Sequence, residues 1–156
     1  MKVIFLDFDG VLNSHSGYAK RDYEKIFIKY AYSIFEEHIE ALNWLMKDLE
    51  DVKIIISSTW RKFLSLDEIK ELMIEKGFKY SETIYSTTPF VGSRTEDIRT
   101  YLNENNVEDY VIIDDKKLLS FDDKFCLIDS RYGFTHYDAA LCKAKFSGNN
   151  LPLILF

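Results

Sequence analysis

The chain has 156 residues, 47% hydrophobic and 29% charged, with a formal net charge of -6. That is the size of one domain able to bury a core without cross-links, and apolar content this ordinary excludes global disorder. No apolar run nears the roughly 20 residues of a membrane helix. A secretory leader is not expected either, because Asp7 interrupts the opening apolar stretch. Cys126 and Cys142 lie far apart and match no zinc or redox spacing, so a reducing cytoplasm is the expected setting. The acidic balance argues against a broad polyanion-binding surface but leaves a local basic groove open.

In chain order, Val3–Leu6 is an unbroken apolar run that ends in charge, the pattern of a strand buried on both faces of a parallel sheet. Apolar residues from Ile34 to Leu49 recur at helical spacing. Ile54–Ile56 is a second buried strand, ending at Ser57, Ser58 and Thr59. Ser65 and Glu68 form a capping box that opens a helix through Ile69, Leu72 and Met73, with Gly77 as its stop. Residues 83–86 read as a shorter strand. Ser93 and Glu96 form another capping box before Ile98, Tyr101 and Leu102. Val111–Ile113, ending at Asp114 and Asp115, and Phe125–Ile128, ending at Asp129, are two more strands. Thr135 caps a last helix through Ala139 and Lys143, and the apolar tail 151–156 packs back on the body, as an edge strand in one reading. Strands alternating with helices predict an α/β fold with a mainly parallel sheet, as one domain over residues 1–156.

In an open parallel sheet ligands bind beyond the carboxyl ends of the strands. If the first, second and third long strands are neighbours, Asp7, Ser57 and Asp114/Asp115 converge. Carboxylates so close repel one another, and a hard divalent cation with oxygen ligands, Mg²⁺, resolves the conflict. Asp7 and Asp9 both reach the same cavity if the chain leaves the strand after Asp7, and Gly10 permits the tight turn away.

Asp7-Phe8-Asp9-Gly10-Val11-Leu12-Asn13 after a buried strand resembles the first motif of the haloacid dehalogenase (HAD) superfamily. Ser57 resembles the second motif, Arg94 the third and Asp114-Asp115 the fourth, in the family's order and over nearly the whole chain. Ser57-Ser58-Thr59-Trp60-Arg61 and Gly133-Phe134-Thr135 further resemble the HAD-type domains of Swiss-army-knife RNA repair proteins. The resemblance implies a three-layer Rossmann-like core with helices on both faces of the sheet. It implies a phosphatase with Asp7 as nucleophile, forming an aspartyl-phosphate, and Asp9 as general acid and then general base. Mg²⁺ would be held by Asp7 and Asp115 with the Asp9 main-chain carbonyl, Asp114 being the alternative ligand or its support. Ser57 or Ser58 and Arg94 would hold the phosphoryl oxygens, and Trp60 and Arg61 are possible contacts to the leaving group. The gap from Asn13 to the helix at Ile34 is too short for a cap domain, so residues 14–33 read as a small lid or insert over an open site. The expected partner is a phosphorylated substrate: a small molecule, a nucleotide or a nucleic-acid end.

Blander readings stand beside these. Asp7 and Asp9 alone would pass as solvated turn residues, and Lys79 and Arg99 rival Arg94. Trp60 is as readily a core anchor, and His38 and His136 read as structural. The basic and aromatic residues between Tyr18 and Tyr32 fit an amphipathic helix better than a single-strand-binding face. Two other functions remain in play: a non-catalytic phospho-acceptor signalling domain and a nucleic-acid end-recognition module.

Overall fold

Alternation along the first strand divides the core in two. Side chains of Val3 and Phe5 point to one face and those of Ile4 and Leu6 to the other, and all four are fully buried. A computed structural model describes residues 1–21 and 33–146. Within it β1 (Lys2–Leu6) is followed by the short α1 (His15–Ala19), α2 (Glu36–Met46), β2 (Val52–Ile56), α3 (Leu66–Glu75), β3 (Ile84–Thr87), α4 (Arg94–Glu104), β4 (Asp109–Asp114), β5 (Phe125–Leu127) and α5 (His136–Lys145). The strands form one five-stranded sheet in the order β3-β2-β1-β4-β5, with every pair parallel.

Helices cover both faces. Ile39, Leu42 and Leu45 of α2, Ile69 and Met73 of α3, and Ala139 and Cys142 of α5 pack on Ile4, Leu6, Ile54, Ile56, Val111 and Ile113. On the other face Ile98 and Tyr101 of α4 pack on Val3, Phe5, Ile55 and Ile112. The expected three-layer Rossmann-like architecture is therefore present. Each buried Ile or Leu contributes roughly 1.5–3 kcal/mol relative to an exposed one, so the sheet is held mainly by these two apolar layers.

The strand order explains where a site can form. The chain winds outward from β1 through β2 to β3, then returns to place β4 on the other side of β1. The connections therefore diverge from β1, leaving a crevice at its carboxyl end.

Helix starts follow local chemistry. Ser65 and Glu68 make both bonds of a capping box, and so do Thr135 and Asp138. At α4 only half of the expected box forms. Ser93 accepts from the Glu96 amide, but the Glu96 carboxylate takes the Ser93 hydroxyl instead of its backbone N–H. Among the described residues no side chain caps α2; Phe35 stands at its N-cap position.

Of the insert at 14–33, residues 22–32 lie outside the described residues, as does the tail at 151–156. Tyr18 and Arg21 are described, and both are partly buried. Tyr18 meets Phe35 edge-to-face at 4.9 Å, and Arg21 lies 3.7 Å over the same ring while pairing with Glu37. Among the described residues no helix is long and apolar enough to cross a membrane.

Candidate active site

Register alone brings three polar residues level. Leu6 pairs with Ile56 on one side and with Ile113 on the other. The next residue in each strand direction is Asp7, Ser57 and Asp114. Backbone hydrogen bonds carry the alignment one step past the strands: Asp7 N–H donates to Ile113 O and Ser57 N–H to Leu6 O, each at 3.0 Å.

Asp7, Asp114 and Asp115 form a cluster in which one carboxylate oxygen from each lies within 4.8 Å of the others. Asp7 and Asp114 are buried, Asp114 completely. Arg94, the first residue of α4, reaches across to them. Its Nη1 lies 2.7 Å from Asp114 Oδ2 and 3.3 Å from Asp7 Oδ2. Burial and then the Asp114 charge push the Asp7 carboxyl up to about 8, against the opposing pull of Arg94. Burial likewise raises Asp114, with Arg94 opposing. Burial would lower Arg94, but Asp7 and Asp114 outweigh it and hold the guanidinium above its ordinary value. One cation is thus too little for three acids in so dry a place.

Asp114 uses both oxygens within the protein: Oδ2 accepts from Arg94 and Oδ1 from the Lys116 backbone N–H. Among the described residues no donor contacts the half-buried Asp115 carboxylate. It packs instead on Gly10, whose φ of +80° and lack of a side chain admit it.

Asp9 stands apart from this cluster, exposed at its rim. Its Oδ1 accepts from Asn13 Nδ2 at 3.0 Å and its Oδ2 from the Trp60 indole Nε1 at 3.1 Å. Trp60 is also a core residue, meeting Phe8 edge-to-face at 5.1 Å.

The two serines differ. The Ser57 hydroxyl is buried with no hydrogen-bond partner among the described residues, whereas the Ser58 hydroxyl caps the turn at Thr59–Lys62 by accepting from Trp60 N–H at 3.1 Å. Beside Ser57, Thr88 follows β3 and also holds a buried hydroxyl with no partner among the described residues.

Arg61 is placed inside the protein. Its guanidinium donates to the carbonyls of Ser57, Ser58, Thr88 and Pro89 and pairs with buried Asp97 at 2.9 Å. The Phe90 ring lies 3.7 Å from it. Of the two rivals to Arg94, Arg99, also on α4, sits over the Phe121 ring at 5.5 Å, and Lys79 is fixed at its backbone by Asn43. Beside the acids opens a cleft of about 330 Å³, lined by Arg94, Lys62, Lys116, Phe90 and Leu118.

Reasoning from sequence missed the grip on Asp9 and the Arg61–Asp97 lock. Asn13 carried a signal, lying inside the first motif; Trp60 and Asp97 carried none, since their partners are 51 and 36 residues away.

The family described as the HAD domain in Swiss Army Knife RNA repair proteins matches residues 3–139. No curated protein and no solved structure matches the chain.

Proposed function

The chain belongs to the family of HAD domains found in Swiss Army Knife RNA repair proteins, and from that premise we propose that it is a Mg²⁺-dependent phosphomonoester hydrolase. The observation that carries this reading is the cluster of buried Asp7 and Asp114 with half-buried Asp115, against which Arg94 is lodged.

The donor set suits a hard cation. It is all carboxylate oxygen, three carboxyl groups face the single guanidinium of Arg94, and the Ser57 hydroxyl beside it is buried without a partner among the described residues. Asp7 and Asp115 would hold the ion with the Asp9 main-chain carbonyl, while Asp114, already bonded through both oxygens, would support them. Bound there, Mg²⁺ would offset the negative charge of the acids and of the phosphoryl oxygens.

The chain's own groups would do the rest. Asp7 attacks phosphorus, forming an aspartyl-phosphate as the ester P–O bond breaks. The leaving oxygen takes its proton from Asp9. Asp9 then removes a proton from the water that attacks phosphorus and frees Asp7. Arg94 and Ser57 hold the phosphoryl oxygens, and such positioning and charge stabilisation supply most of the catalysis in phosphoryl transfer. The cleft beside Arg94, with two lysines and a half-exposed Phe90, supports a nucleotide or nucleic-acid end as the leaving portion, in keeping with the family's description.

The test is a phosphatase screen over sugar phosphates, nucleotides, phosphopeptides and 3′- or 5′-phosphorylated oligonucleotides. Hydrolysis should be abolished by Asp7→Asn with the circular dichroism spectrum unchanged, and lost to EDTA and restored by Mg²⁺. Robust turnover by Asp7→Asn, or indifference to EDTA, would overturn the mechanism. A long-lived aspartyl-phosphate with negligible turnover would select the phospho-acceptor alternative.

A further inference from the structure

Asp9 is exposed, and an exposed carboxylate attached at one point turns freely about two side-chain bonds. Here it is attached at two. The Asn13 amide bonds one oxygen and the Trp60 indole the other, at 3.0 and 3.1 Å. Both donors are themselves fixed. Asn13 Oδ1 accepts from Gly10 N–H, and its Nδ2 also donates to Ser33 O. Trp60 is buried, packs edge-to-face on Phe8, and starts from a turn capped by Ser58. The two donors reach Asp9 from separate segments of chain, so together they set both its direction and its plane.

From this geometry we propose that Trp60 is a positioning residue, whose indole N–H aims the Asp9 carboxyl at the leaving oxygen. The inference rests on the phosphatase reading and adds to it a residue that acts through Asp9 without touching substrate. In the first step an Asp7 oxygen bonds to phosphorus, and the electron pair of the breaking P–O bond passes to the leaving oxygen. That oxygen takes the Asp9 proton. The negative charge left on Asp9 then lies between two N–H donors already in place, so no group need reorganise as the charge appears.

A misaimed acid has a signature that loose packing does not. A good leaving group departs without a proton, whereas an alkoxide needs one. Trp60→Phe keeps an aromatic ring against Phe8 and removes the N–H. We expect it to lower kcat/KM by about 10-fold for an alkyl phosphate but by less than about 2-fold for 4-nitrophenyl phosphate, within the range general-acid groups supply. kcat/KM is the proper measure, because it reports phosphoryl transfer to Asp7 and not the later hydrolysis common to all substrates. Equal losses on both esters, or none, would overturn the proposal while leaving the phosphatase reading intact. A wild-type protein inert on these esters and across the whole screen above would overturn the phosphatase reading and this one with it.

A second measurement covers a variant that folds poorly. The chain has only two tryptophans, so the indole N–H resonances of Trp60 and Trp44 can be followed separately by NMR. Asp9→Asn should move the Trp60 resonance and leave that of Trp44 in place. A Trp60 resonance unmoved by Asp9→Asn would overturn the proposal.

Discussion

Arg61→Met tests the interior of the site. The guanidinium reaches four backbone carbonyls at 2.8–3.3 Å and the Asp97 carboxylate at 2.9 Å. Side-chain exposure is 3% for Arg61 and 5% for Asp97, so water cannot replace what is lost. Methionine fills the volume of the aliphatic stem but leaves Asp97 a buried charge without a counter-ion. Its other oxygen still accepts from the Val91 and Gly92 amides, so the loss is partial. Breaking a buried pair from one side costs about 3–5 kcal/mol, against about 0–1 kcal/mol for an exposed pair. That is a large part of the roughly 5–15 kcal/mol holding a domain folded, and corresponds to a Tm lower by roughly 6–20 °C. Urea and thermal denaturation followed by circular dichroism would measure it. Adding Asp97→Asn to Arg61→Met should recover part of the loss, because the stranded charge disappears. A variant within about 1 kcal/mol of wild type that instead raises KM would refute the reasoning and make Arg61 a substrate contact.

Two further outcomes follow from neighbouring geometry. Gly10→Ala should cost about 1–3 kcal/mol from its left-handed backbone alone. Its methyl group would also overlap the Asp115 carboxylate, so the rise in Tm produced by Mg²⁺ should shrink; an undiminished rise would remove Asp115 from ion binding. His38 is buried, with Nδ1–H donating to Phe134 O and Nε2 accepting from the Ser14 hydroxyl. Burial holds its pKa below the ordinary value, against the Phe134 bond and nearby Glu37 and Asp138, with Arg21 adding to the depression. The unfolded chain therefore takes up a proton that the folded one resists. Its contribution is fully present above about pH 6.5 and is lost as pH falls toward the depressed folded value, with a slope of at most about 1.4 kcal/mol per unit. Denaturation at pH 7 and pH 5 should show a smaller drop for His38→Gln than for wild type; equal drops would refute the assignment.

Much of the site was legible because its residues end buried strands. A short apolar run closed by an acid or a serine marks both a strand and its functional end, and Asp7, Ser57 and Asp114 all follow such runs. Helix caps were legible for the same reason: Ser65 and Thr135 meet their partners three residues away. The half-formed box at Ser93 shows the limit, since the spacing was right and the hydroxyl took the carboxylate.

What the amino-acid order determined by itself was local: which runs are strands, which residues start helices, and which side chains stand where each strand stops. Tertiary structure decided what depends on distance across the sheet. The strand order β3-β2-β1-β4-β5 set Asp7 between Ser57 and Asp114. The same packing turned Arg94 onto two acids, sent Arg61 inward to Asp97, and brought Trp60 to Asp9. Strand and cap signals arise within a few residues, where backbone sterics and side-chain reach suffice. The partner of a buried charge or an indole N–H is settled only when separate segments share one dry interior, and there each polar group must find a partner or bear the full cost of leaving water.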